Sequence, residues 1–446
     1  MQPVRLPASF LVTTAFVASV VLTSLACRTD SPGDANSADP ASPSNRSPNP
    51  QLASKGDRAK GEITKDHGAP SDTAGNGEVD ALAREAAALR AVYAGAPSTW
   101  PKPDVDADVA YVELARVERP ARSRDPRDVT RVELGQTLFF DARLSGTGQM
   151  ACASCHDAEL GWADGRATSF GHGFQPLPRN APSILNAAFA TSFFWDGRAA
   201  SLEDQAAAVF ENAKEMHSSL DAVLSSVRSS RGYRERFAAA WGEAEPTKER
   251  VLGSIAAFER TLTSDGSSDF DEFLGGKTSA MSDAAVRGLH LFRTEARCVN
   301  CHNGPLLSDG KFHDVGLSYY GRELQDLGRY EVTKDPADVG RFKTPSLRNV
   351  ARTAPYMHNG LFDMDGLLNM YSGGMPTLKR KPEQANDPLF PTKSPHLRPL
   401  NLDAGKKADL KAFLESLTER RRRVKPPEMP ALGDAGAESP TQAESR

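Results

Sequence analysis

Hydrophobic positions in this 446-residue chain gather into a few short stripes separated by long polar stretches. The first is a charge-free, mostly apolar run from Leu6 to Ala26 that follows Arg5 and reads as a secretory signal. Cys27 comes directly after Ser24-Leu25-Ala26, which points to a lipoprotein cleavage site with an acylated Cys27. The usual pattern has Leu where Ser24 stands and a small residue where Leu25 stands, so simple cleavage and retention as one membrane span are the alternatives. Residues 28–78 are rich in Ser, Pro, Asp, Gly, Asn and Lys and cannot bury a core, which makes them a disordered linker. Val79 to Val92 has helical periodicity, with Leu82, Ala86, Leu89 and Val92 on one face, and opens a helical extension over 79–104.

Two later stripes repeat one another. Val132-Glu-Leu-Gly135-Gln-Thr-Leu138-Phe139 and Val286-Arg-Gly288-Leu-His-Leu291-Phe292 each read as an amphipathic helix carrying a Gly and then a Leu-Phe pair. The glycine would let a second helix or another group approach closely. Ser282 is placed to cap the second of these helices. Ser, Gly and Asp gather near 265–282, which places a boundary there and splits the body into units over 105–270 and 271–425. Ala404 to Leu417 reads as a closing amphipathic helix with Leu410, Phe413, Leu414 and Leu417 inward. Residues 426–446, rich in Ala, Glu, Pro and Gly, read as a disordered tail.

Composition changes this picture in two ways. Lys plus Arg number 54 and Asp plus Glu 58, for a net charge of −4, which argues against a nucleic-acid partner. Of the five cysteines, four fall in two Cys-x-x-Cys-His units, so there is no disulfide framework. The units are Cys152-Ala-Ser-Cys155-His156 and Cys298-Val-Asn-Cys301-His302, one after each repeated helix. This is the attachment sequence of haem c: the thiols form thioethers and the His becomes an axial iron ligand. A zinc site is the competing reading, but each unit offers three ligands at most where zinc usually takes four. The repeat therefore implies two covalently bound haems c, with His156 and His302 as proximal ligands, and places the chain outside the cytoplasm, in the periplasm. Seventeen residues separate Gly135 from Cys152 but ten separate Gly288 from Cys298, so the first unit carries an insertion at Ser145-Gly-Thr-Gly148.

The sixth iron position decides between electron carriage and peroxide chemistry. His172, flanked by Gly171 and Gly173, sits on backbone free enough to swing an imidazole on and off an iron. A structural histidine on a loop is the plainer reading. Cleaving a peroxide O–O bond requires moving a proton from one oxygen to the other. Glu215 is a candidate general acid–base for that step, and Gln205 a hydrogen-bonding partner for the oxygens. Taken alone, Glu215 reads as a solvated charge and Trp195 as core. An aromatic ring between two redox centres can also relay electrons.

Cys152 to Glu215 resembles the N-terminal half of bacterial di-haem cytochrome c peroxidases. The resemblance rests on the Cys-x-x-Cys-His, Gly171-His172-Gly173, Asn180-Ala-Pro-Ser, Phe194-Trp195-Asp-Gly-Arg198, Gln205 and Glu215-Met216. It continues through the second haem motif and Thr344-Pro-Ser-Leu-Arg-Asn349 and covers roughly 105–420. It implies a mainly α fold of two tandem cytochrome c-type domains. It also implies that His172 is the displaceable ligand of the first haem, that Trp195 lies between the haems, and that Gln205 and Glu215 line the peroxide pocket. A calcium ion held by Asn180, Thr353 and Pro355 is implied too, as is the family's tendency to form homodimers. The peroxidases place a Met at the second haem. Here Tyr371 takes that position, similar to MauG-like di-haem enzymes, with Met370, Met375 and His358 near enough in sequence to be alternatives.

The expected function is a di-haem c peroxidase. Electrons from a small cytochrome c or cupredoxin enter at the C-terminal haem, and hydrogen peroxide is reduced to water at the N-terminal one. The alternatives are a MauG-like oxidase that acts on a partner protein through a high-valent state, and a plain electron-transfer cytochrome.

Overall fold

A computed structural model describes residues 73–121, 123–421 and 423–433. The signal segment, Cys27, most of the linker and the last residues of the tail lie outside the described residues. Eleven α-helices and one two-stranded ribbon are found within them. The helices are α1 (Thr73–Val92), α2 (Pro126–Phe140), α3 (Leu202–Glu211), α4 (Leu220–Ser229), α5 (Arg231–Trp241) and α6 (Lys248–Glu259) in the first half. Then come α7 (Asp269–Leu274), α8 (Asp283–Arg293), α9 (Tyr330–Thr333), α10 (Met364–Ser372) and α11 (Ala404–Ser416). Strands β1 (Phe312–Asp314) and β2 (Arg341–Lys343) pair antiparallel, with His313 opposite Phe342. The fold is mainly helical, as the sequence implies.

Local chemistry explains the helix starts. Pro126 sits in the first turn of α2 behind Asp125, whose carboxylate accepts the Arg127 N–H at 2.9 Å. Ser282 caps α8 by accepting from Ala285 N at 3.1 Å, as its position in the sequence indicates. Asp403 caps α11 through Lys406 N at 2.8 Å. Helix α1 starts at Thr73, ahead of the first periodic residue Val79.

Two hydrophobic cores form. In the first, Leu134, Leu138 and Phe139 of α2 meet Val251, Ile255 and Phe258 of α6, with Tyr233 and Phe237 from α5. The second gathers Val286, Leu289 and Phe292 of α8 with Leu410 and Phe413 of α11 and Phe270 of α7. Each Gly of the repeat lies at a helix crossing. A Cβ on Gly135 would stand 1.8 Å from the Ser254 carbonyl oxygen of α6, and one on Gly288 would stand 2.0 Å from that of Asp409 of α11. The Leu-Phe pair that follows delivers Phe139 onto Phe258 (5.2 Å between rings) and Phe292 onto Phe413 (4.9 Å). The repeat is therefore a repeat of helix pairs, α2 on α6 and α8 on α11.

The chain crosses between the cores more often than its linear order implies. Tyr93, Trp100, Val105, Tyr111 and Leu114 pack in the second core although they precede the first in sequence. Arg293, fully buried, fastens this segment by donating to Glu113, to the Pro101 carbonyl (2.7 Å) and to Tyr111 (2.9 Å). Arg348 is buried against Asp271 (2.8 Å) and donates to the Ala115 carbonyl (2.6 Å). At the other end, Val424 and Leu432 lie on the first core, and Arg236 of α5 donates to the Glu428 carbonyl at 3.1 Å. The segment after Pro426 thus continues along the first core as far as it is described.

Candidate active site

Both Cys-x-x-Cys-His units are built alike. Cys152–Ser154 and Cys298–Asn300 each form one tight 3-10 turn, closed by the His156 N–H on the Cys152 carbonyl (3.1 Å) and the His302 N–H on the Cys298 carbonyl (2.8 Å). The turn points two sulfurs and one imidazole to the same side. His156 Nδ1 bonds the Trp162 carbonyl at 3.0 Å, and His302 Nδ1 bonds the Leu307 carbonyl at 2.9 Å. A backbone acceptor makes Nδ1 the protonated nitrogen and leaves Nε2 with a lone pair for a metal. Burial lowers both imidazole pKa values, which favours the neutral, ligating form. All four thiols are unbridged.

One continuous cavity of about 1120 Å³ runs past both units. Its wall includes Cys152, Cys155 and His156 at one end and Cys298, Cys301 and His302 at the other. The sulfurs are uncharged there: burial pushes Cys155 up to about 11 and Cys298 and Cys301 up to about 12. An apolar cavity with paired thiols and a neutral imidazole at each end fits two covalent haems.

Gln205 on α3, Glu215 and Trp195 line the same cavity, and Glu215 acts electrostatically on Cys155. The Glu215 carboxyl is raised above its ordinary range by burial, a shift opposed by Arg198 and by the Asn212 amide, which donates to it at 2.7 Å. Trp195 donates from its indole N–H to the Asn180 carbonyl (2.9 Å) and meets the ring of His358 edge-on at 6.4 Å. Its carbonyl takes the Lys343 N–H of β2 at 2.8 Å, so Trp195 is held from both halves of the chain.

His172 stands differently from the rest. It is not in the cavity wall; its ring stacks on His217 at 3.9 Å. Its N–H donates to the carbonyls of Lys214 (2.9 Å) and Glu215 (3.1 Å), so the Gly171–Gly173 loop rides on the segment that carries Glu215. Gly171 is required there, since a Cβ would fall 1.9 Å from the Lys214 oxygen. His172 Nδ1 is buried without a hydrogen-bond partner.

At the second end, Tyr371 of α10 lines the cavity, whereas Met370 and Met375 do not. Burial, reinforced by Cys301 and Cys298, raises the Tyr371 phenol. His358 also lines the cavity, stacked on Phe342 at 3.6 Å, and burial lowers it to about 4. Asn180, Thr353 and Pro355 come together, but Asn180 presents its amide nitrogen there, donating to the Pro355 carbonyl at 3.4 Å and to Arg166 O at 2.8 Å. A cation at this place needs the amide oxygen turned inward.

The comparisons with known proteins agree with this geometry. The family model described as di-haem cytochrome c peroxidase matches residues 129–279. The methylamine utilization protein MauG of Methylorubrum extorquens is 38% identical over 338 residues, covering 73% of this chain and 90% of that relative. The chain belongs to the di-haem cytochrome c peroxidase family. Like other members it is an oxidoreductase, and the di-haem description supplies the groups for its two Cys-x-x-Cys-His units. The cytochrome c551 peroxidase of Nitrosomonas europaea is 40% identical over 243 residues, covering 54% of this chain and 72% of that relative. A solved MauG-like protein associated with microbial copper homeostasis superposes with a TM-score of 0.59 at 32% identity, covering 71% of this chain and 96% of that one.

Two residues of this di-haem site carry no motif signal. His217 is notable only for its stacking on His172 and Glu259 only for lying in the cavity wall. Each owes its place to a long-range contact that no local pattern encodes.

Proposed function

We propose that the chain is a di-haem c peroxidase that reduces hydrogen peroxide to water at the haem of Cys152–His156. The electrons come from a small redox protein, a cytochrome c or cupredoxin, and enter at the haem of Cys298–His302. The observation that carries this reading is that Glu215 and Gln205 line the same cavity as His156, with Glu215 acting electrostatically on Cys155. An electron carrier with two permanently ligated irons has no use for a carboxyl raised by burial in that place.

When bound, the haems supply the iron and the redox equivalents. The protein residues supply the rest. Glu215 takes a proton from one peroxide oxygen at its carboxylate and returns it to the oxygen that leaves, as general base and then general acid. Gln205 orients the oxygens by hydrogen bonding. Trp195, held by Asn180 and β2 and lining the cavity, would relay electrons between the two haems. His172 would supply the displaceable ligand to the first haem, and its unpartnered buried Nδ1 fits a side chain with two resting places. Tyr371 would be the residue that ligates the second haem's iron, and Asn180, Thr353 and Pro355 would hold a calcium ion once the Asn180 amide turns. Each haem is carried by one of the two units read from the sequence, and the protein works in the periplasm, with Cys27 as a lipid anchor.

Tyr371 also favours a second reading, oxidation of a partner protein, the class of role that the relative's name, methylamine utilization protein, leaves open. Steady-state turnover separates the two. Peroxide reduction that consumes two equivalents of a reduced small cytochrome per peroxide, abolished in Glu215→Gln with both haems still attached, supports the peroxidase. Undiminished turnover in that variant removes Glu215 from the chemistry.

A further inference from the structure

Glu259 closes α6 and is 4% exposed, yet its Oε2 has no hydrogen-bond partner. It lies in the cavity wall and acts electrostatically on Cys152, while Glu215 acts on Cys155. Burial pushes its carboxyl up to about 8. The charged groups that act on it are Arg260, beside it on the chain, and Glu203 of α3. These two bond each other twice at 2.9 Å, so their effects on Glu259 oppose one another.

The internal repeat shows that packing does not call for this carboxyl. Ser254 and Phe258 of α6 meet Gly135 and Phe139 just as Asp409 and Phe413 of α11 meet Gly288 and Phe292. One residue beyond Phe258 stands Glu259, and one residue beyond Phe413 stands Leu414, which is 8% exposed and also lines the cavity. The same place in the fold takes a leucine at the second haem. An unpaired carboxyl in its stead costs free energy whether it is neutral or charged.

We propose that Glu259 is a redox-linked proton acceptor: it binds one proton when one electron reaches the first haem and releases that proton when the electron leaves. Charge and mass balance. The electron comes from the donor of the proposed reaction, the proton comes from solvent, and the net charge of the cavity end is unchanged. The physical cause is Coulombic. A ferric iron favours the carboxylate, and reduction removes that positive charge inside an apolar cavity. The proposal rests on the reading that Cys152–His156 carries a haem.

The test is a spectroelectrochemical titration of each haem of the holoprotein across neutral and alkaline pH. The midpoint potential of the first haem should fall as pH rises, while that of the second stays flat. Glu259→Gln and Glu259→Leu should both flatten the first, and the Leu variant has the second unit as precedent for folding. Infrared difference spectra should show a protonated carboxyl band that appears on reduction, shifts in D2O, vanishes in Glu259→Gln and persists in Glu215→Gln. A slope that survives both Glu259 variants, or none in the wild type, overturns the proposal. One haem per chain by haemochrome assay would instead overturn the site reading on which it rests.

Discussion

Replacing Gly135 by Ala tests the helix crossing on which the first haem unit is built. The new Cβ would fall 1.8 Å from Ser254 O, 2.6 Å from Ser254 C and 3.0 Å from Phe258 Cβ. Two of these are backbone atoms inside α6, so no side chain can rotate away. Relief requires α2 and α6 to separate by about 1.5 Å, and a gap of that order forfeits at least a quarter of the dispersion well. Six buried side chains face each other there: Leu134, Leu138, Phe139, Val251, Ile255 and Phe258. At about 1.5–3 kcal/mol for each, a quarter of their burial energy is about 2–4.5 kcal/mol. That reaches the upper end of measured overpacking costs. Thermal unfolding of the holoprotein should shift down by about 5–15 °C. Because α2 also packs on the Cys152–Ser154 turn, the first haem's absorbance should be the one perturbed. Gly288→Ala, 2.0 Å from Asp409 O, should do the same at the second haem. A Gly135→Ala protein within about 0.5 kcal/mol of wild type would refute the crossing.

Glu259→Leu should raise the melting temperature more at alkaline than at acid pH. The folded carboxyl is raised to about 8 while the unfolded one titrates near the ordinary value. Between the two, the folded state holds a proton that the unfolded state has lost, so stability drains away as pH climbs through that window. The variant should lack this loss, and equal gains at both ends of the range would contradict it. Tyr371→Phe should change the ferric absorption and EPR of the second haem and leave those of the first unchanged; unaltered spectra would remove Tyr371 from that iron. Chelation of calcium should lower turnover, since Asn180 also accepts the Trp195 indole bond. Turnover that is indifferent to the chelator would argue against an ion there.

What the sequence made legible is what is local. Cys-x-x-Cys-His specifies its own turn and chemistry within five residues. The Gly-then-Leu-Phe stripe announces a helix and a close approach, because periodicity and a missing Cβ are both written in one segment. The partner in that approach is not. Nothing near Gly135 points to Ser254, more than a hundred residues on, and α6 carries no motif of its own. The same gap hid Glu259, which reads as one charge among many until the fold aligns it with Leu414. It also hid the stacking of His172 on His217 and the passage of Tyr111 and Leu114 into the second core, where Arg293 and Arg348 hold the chain by contacts of very long range.

The central claim is that the first haem can open to an external ligand and the second cannot. Cyanide titration of the holoprotein, in the diferric and the half-reduced states, tests it with EPR assigning the haem that binds. The expected result is one cyanide per chain, at the haem attached to Cys152 and Cys155, in at least one of the two states. No binding in either state, or binding at the haem of Cys298 and Cys301, would contradict it.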